Sequence, residues 1–128
     1  MSRSHRANHF GTLFEKRTFD ELGLEPARAS WKDAEKDGDP WELKATMAEH
    51  ADGNPGTFKV YEKYHRKLRR HDGWYCFGVY RPHGKGIRIL KRTKVHSSQL
   101  PRLSWHGGGE HRGTRQAKIK IDEIFGFV

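Results

Sequence analysis

The sequence predicts an α/β fold, a mixed β-sheet flanked by helices, and three observations predict it. An amphipathic helical stripe opens the chain, and Asp37-Gly38 marks a hairpin after it. WYCFGVY, residues 74–80, is then apolar on both faces, as a strand enclosed between two layers must be. The order helix, hairpin, helix, hairpin packs helices on a sheet rather than sheet on sheet. With 128 residues there is room for one domain, 1–128, around one modest core.

The elements follow in order. MSRSHRANH is polar and is expected to be a flexible terminus, frayed or lying on a ligand. Over 9–22, Phe10, Leu13, Phe14, Phe19 and Leu22 recur at helical spacing with Glu15 at the edge of their stripe, and Gly23 supplies a stop. Two strands are implied between about 27 and 48, and ADGNPG over 51–56 is a loop by composition. FKVYEKYHRKLRRH, 58–71, begins extended and turns helical, ending at Asp72-Gly73. PHGKG turns the chain into a basic strand at 87–95, and 97–116, with Pro101 and three glycines at 107–109, reads as a long basic loop. KIKIDEIF, 118–125, is a strand running into a helical turn.

Charge is unevenly spread. The formal net charge is +9, yet residues 1–52 carry eight Lys/Arg against eleven Asp/Glu, while residues 53–121 carry seventeen against three. A basic second half suits a polyanionic partner, DNA above all, because Lys and Arg release condensed counterions from nucleic acid. Lys63, Arg66, Lys67, Arg69 and Arg70 lie on one helix, and Arg81, Lys85, Arg88, Lys91, Arg92 and Lys94 border one hairpin. Such residues hold a phosphate backbone without reading its sequence, and any one of them also reads as ordinary solvated surface. With Cys76 alone there is no internal disulfide, and without a signal peptide or long apolar run a cytoplasmic protein with no membrane partner is expected.

The acids concentrate around one turn. A two-residue loop at 37–38 opposes Lys36 to Asp39 and Asp33 to Glu42, with Lys44 on the same face as Glu42. Opposed like charges destabilise a sheet, and a divalent cation offsets that cost: Mg²⁺ takes one or two carboxylates and completes its shell with water and phosphate oxygens. Lys44 is placed to orient a water and to stabilise charge growing on a phosphate. The same stretch also reads as an exposed acidic hairpin neutralised by Lys32, Lys36 and Lys44. A loop at 37–40 would instead pair Asp33 with Lys44.

Gly11-Thr-Leu-Phe-Glu15 on a helix, then an acid, then Glu42-Leu43-Lys44 resembles the PD-(D/E)XK nuclease superfamily, which includes restriction endonucleases and the archaeal Holliday junction resolvases. The resemblance implies a restriction endonuclease-like core and a Mg²⁺-dependent endonuclease of DNA, with Mn²⁺ able to substitute. It casts Asp33 as the motif acid, Glu42 as the second metal ligand, Lys44 as the motif lysine, Glu15 as the helix glutamate and the Leu43 carbonyl as a further ligand. Here the acid follows Lys32 instead of proline, and Asp39 is its rival. Tyr61 and His65 are nearest to the polar group that many relatives carry on the next helix, although His65 reads equally as hydrogen-bonded packing. A branched junction is an attractive substrate by the same resemblance, and a homodimer would set two sites on paired strands. The rival from another class is a non-catalytic DNA- or RNA-binding module using the basic half alone. His106, Glu110 and His111 around the triple glycine suit zinc or DNA less well than a flexible loop. Trp74, Tyr75, Phe77 and Tyr80 suit the core better than a base-stacking surface.

Overall fold

The computed structural model describes residues 2–50, 52–107 and 113–126, the first seven of them as backbone alone. Helix α1 (Ser2–Leu22) starts seven residues ahead of the expected position 9. The polar run before the apolar stripe holds neither Gly nor Pro, so nothing in it stops a helix from extending. Gly23, at φ +67°, ends α1, and the Leu24 N–H turns back onto the Phe19 carbonyl at 3.0 Å.

Three strands follow where two were expected: β1 (Glu25–Ala29), β2 (Lys32–Lys36) and β3 (Asp39–Met47). The extra one, EPARA, has no β-branched or aromatic residue to announce it. Asp37 and Gly38 take φ of 53° and 85°, so the turn is the two-residue one and Lys36 pairs with Asp39, Glu35 with Pro40 and Ala34 with Trp41. Next come β4 (Thr57–Tyr61), α2 (Glu62–Arg70), β5 (Trp74–His83), β6 (Gly86–His96), a short 3₁₀ turn at Ser97–Gln99, β7 (Gln116–Lys120) and α3 (Ile121–Phe125).

The main sheet is five-stranded, in the order β1-β2-β3-β5-β6, and is mixed: β3 and β5 are parallel, the other neighbours antiparallel. β4 and β7 form a separate antiparallel pair. β5 is an interior strand, between β3 and β6, and is buried on both faces over most of its length, which its two-sided apolar run predicted. On one face Phe10 and Phe14 of α1 pack against Trp41, Leu43, Cys76 and Tyr80. On the other, Phe58, Val60 and Ile119 of the small sheet and Leu68 of α2 pack against Tyr75, Phe77 and Val79. The aromatic strand is therefore core, with no exposed stacking platform.

The expected loop at 97–116 is in part docked structure. Leu100, Leu103 and Trp105 pack on the second cluster, and His106 exchanges two backbone hydrogen bonds with Gln116, both 2.9 Å. Widely spaced apolar residues gave no periodic signal there. Glu110 and His111 lie outside the described residues. Among the described residues no helix is long and apolar enough to cross a membrane.

Candidate active site

The site grows out of alternation along β3. Trp41, Leu43 and Ala45 point toward α1, so Glu42 and Lys44 must point the other way, onto the face that α2 and the small sheet cover. Glu42 is 7% exposed. Pairing of β2 with β3 runs only as far as Ala34 and Trp41, and beyond it the Asp33 side chain takes over from the backbone: its Oδ2 accepts the Leu43 N–H at 2.7 Å. Asp33 also lies beside the Glu42 carboxyl and favours its protonated form.

Electrostatics describe one cluster. Burial raises the Glu42 carboxyl well above its ordinary range, helped by Asp33 beside it and by the charge of Glu15, while Lys44 opposes the shift. Glu15, reaching in from α1, is pushed up to about 6 by burial and by the charge of Asp33. The Lys44 ammonium lies over the Tyr61 ring, 5.4 Å from its centroid. Tyr61 ends β4 and caps α2, so the helix start is tied to the lysine. The structure thus brings Glu15, Asp33, Glu42, Lys44 and Tyr61 together. Asp39, the rival acid, sits exposed beside the hairpin turn.

His65 joins through a residue that sequence reasoning had left to the core. In the parallel ladder Glu42 lies beside Tyr75, whose hydroxyl is 2.8 Å from His65 Nδ1. Burial, and secondarily the charge of Glu42, raises the Tyr75 phenol, so it stays protonated at neutral pH. Burial and the charge of Arg69 hold His65 down at about 4, so the imidazole is neutral there. Nothing in the sequence announced this pair, because a parallel register between strands separated by a helix leaves no local signal.

A model of the PD-(D/E)XK nuclease superfamily domain matches residues 1–126. The chain belongs to the PD-(D/E)XK nuclease superfamily. Comparison with curated proteins and with solved structures returns no significant match. Superfamily membership indicates nuclease activity generally, and PD-(D/E)XK nucleases generally use divalent metal ions. The donor set fits such an ion: a buried Glu42 carboxyl, with Asp33 beside it and the charge of Glu15 raising it further, is the arrangement a cation would relieve. Among the described residues no group of three or more His, Cys, Asp or Glu side chains is arranged as a metal site on its own, so the carboxylates that would hold an ion here are Asp33 and Glu42.

The basic residues divide. Lys63 and Arg70 are exposed on α2, Arg66 pairs with Glu62 at 3.0 Å, Lys67 lies over the Trp31 ring, and Arg69 reaches Ser97 Oγ at 3.5 Å. Arg81, Lys85 and Arg88 are exposed at the far tip of the β5–β6 hairpin. Six strand positions, about 20 Å, separate Arg81 from Tyr75, so the hairpin tip lies away from the carboxylates. Arg92 is not at the protein surface facing outward: it pins β6 to α1 through Glu21 at 2.7 Å and Thr18 at 3.2 Å.

Proposed function

We propose that the protein is a Mg²⁺-dependent DNA endonuclease, a single nuclease domain acting in the cytoplasm. The convergence of Asp33, Glu42 and Lys44 on one face of β3 carries this reading. Asp33 and Glu42 would hold the ion with the Leu43 carbonyl, which points to the same strand edge as the N–H that Asp33 accepts. A bound Mg²⁺ lowers the pKa of water and neutralises charge at phosphate. Glu15 supports the ion or its water. Lys44, steadied over Tyr61, orients the attacking water and offsets charge growing on the phosphate oxygens. Neutral His65 holds Tyr75 in place beside Glu42. The basic surface holds the DNA backbone, and the substrate we favour is branched DNA cut by a homodimer.

Branched and linear duplex DNA incubated with the protein in Mg²⁺, Mn²⁺ or EDTA tests this. Nicking is expected only with metal, and Lys44→Ala or Glu42→Ala is expected to lower it about 10³-fold while DNA binding persists. Binding without cleavage under every condition would identify a binding module instead, and full activity in both variants would remove the site from the chemistry.

A further inference from the structure

A second feature lies on α2 and belongs to none of the side chains placed around Asp33 and Glu42. Lys63, Arg66 and Arg70 follow one another at spacings of three and four, so they form one stripe along the helix. The stripe faces the segment that leads into β7, and between them is a cavity of about 480 Å³ bordered also by Glu62, Thr114 and Arg115. Among the described residues four cations surround it against a single carboxylate.

The cavity wall is built, not merely crowded. Glu62, 7% exposed, accepts Arg115 Nε at 2.8 Å and Arg115 Nη2 at 2.6 Å, and takes Arg66 Nη2 at 3.0 Å from the other side. The Arg115 guanidinium holds the Glu62 carboxyl below its usual range. Backbone clasps fix the same junction: the Glu62 N–H donates to the Arg115 carbonyl at 2.9 Å, and the Lys63 N–H donates to Thr114 Oγ1 at 3.0 Å. Each guanidinium has five N–H donors in a rigid fork, and Glu62 takes only some of them. Both stay substantially open, with the Arg66 side chain 64% and the Arg115 side chain 48% exposed. A carboxylate shared by two arginines fixes their orientation without using up their capacity for a second anion. Lys63 and Arg70, on the same stripe, add charge with no carboxylate of their own beside them among the described residues.

We infer that this cleft is a docking site for nucleic-acid backbone phosphates, separate from the metal centre, with Arg66 and Arg115 preset by Glu62 and with Lys63 and Arg70 completing it. The inference rests on the reading that DNA is the substrate, and it names where the strand is gripped. Because α2 also carries His65 on its inner side and Tyr61 at its start, a strand held here is fixed relative to Glu42 and Lys44 by one rigid helix. The hairpin-tip cations have no such link.

The test is binding of a fluorescein-labelled 20-base-pair duplex, followed by anisotropy in EDTA over a salt series, so that no cleavage enters. Lys63→Ala/Arg70→Ala alters only exposed side chains and is compared with Arg81→Ala/Arg88→Ala, which removes the same charge from the hairpin tip. The slope of log K against log salt is expected to fall by about 2 for the cleft variant, near 0.9 for each phosphate no longer neutralised, and by clearly less for the hairpin variant. Arg115→Lys, which keeps charge but loses the fork, is expected to weaken binding several-fold with little change in slope. Equal losses in the two double variants, or an unchanged slope in the cleft variant, would overturn the inference. A protein that binds through the cleft yet never cuts in Mg²⁺ would leave this inference standing and remove the nuclease reading.

Discussion

The two faces of the central sheet come from the same strands and behave as opposites. Toward α1, β3 offers Trp41, Leu43 and Ala45, and β5 offers Cys76, Gly78 and Tyr80, a dry surface on which Phe14 is 0% exposed. Gly78 is needed there because a Cβ would collide with the Phe14 ring. Away from α1, the neighbouring positions are Glu42 and Lys44, with Tyr75 bonded to His65. Buried apolar groups stabilise by leaving water, whereas buried carboxyls raised above their ordinary range are held there at a cost. One face holds the fold together, and the other keeps a buried carboxyl at the expense of part of that stability.

Substitutions on the two faces should therefore have opposite signatures. Phe14→Ala empties the fully buried ring position over Gly78 and should lower unfolding free energy by about 3–5 kcal/mol in denaturant melts, with whatever protein stays folded keeping the polar face of β3 intact. Glu42→Gln should do the reverse: it removes a carboxyl that burial and Asp33 disfavour, so metal-free stability should rise by about 0.5–2 kcal/mol while cleavage disappears. If both variants simply lose stability, the division of labour between the faces is wrong. Tyr75→Phe is milder. It deletes the hydroxyl that meets His65 Nδ1 within the second cluster and should cost about 1 kcal/mol, more if no water reaches the freed nitrogen.

How much of this was legible in the sequence follows from how local each feature is. The Asp37-Gly38 turn alone sets the register that brings Asp33 toward Glu42, and side-chain alternation then places Lys44; both are short-range rules, and both hold in the structure. The two-sided burial of 74–80 was equally legible, because it needs only the composition of one strand. What escaped depends on contacts distant in sequence. Tyr75 meets Glu42 only through a parallel crossover, Leu100 and Trp105 reach the core only after the small sheet is in place, and Arg115 finds Glu62 fifty-three positions away. Even β1 falls here: EPARA is a strand because β2 needs a partner, not through any preference of its own.

The smallest effect is the most direct reading of the polar face, and it concerns protons. Glu15 binds its proton up to about pH 6 in the folded protein against 4.5 when unperturbed, so between those values the native state holds more protons than the unfolded one and stability must fall as pH rises. His65 works against it. Held at about 4 instead of 6.5, it makes stability grow with pH over much of the same range, while the raised Glu42 adds to the fall, so the raw melting curve of the wild type mixes opposed slopes. Subtracting Glu15→Gln separates them: the difference in Tm, wild type minus variant, should decline by about 2–4 °C from pH 4.5 to 6.5 in EDTA. Added Mg²⁺ should reverse the decline, because an ion on Asp33 and Glu42 competes with protons and gains affinity as the carboxyls ionise. A difference that stays constant across the range, with and without metal, would mean that Glu15 does not share the electrostatic environment of Asp33, and the helix glutamate would drop out of the site.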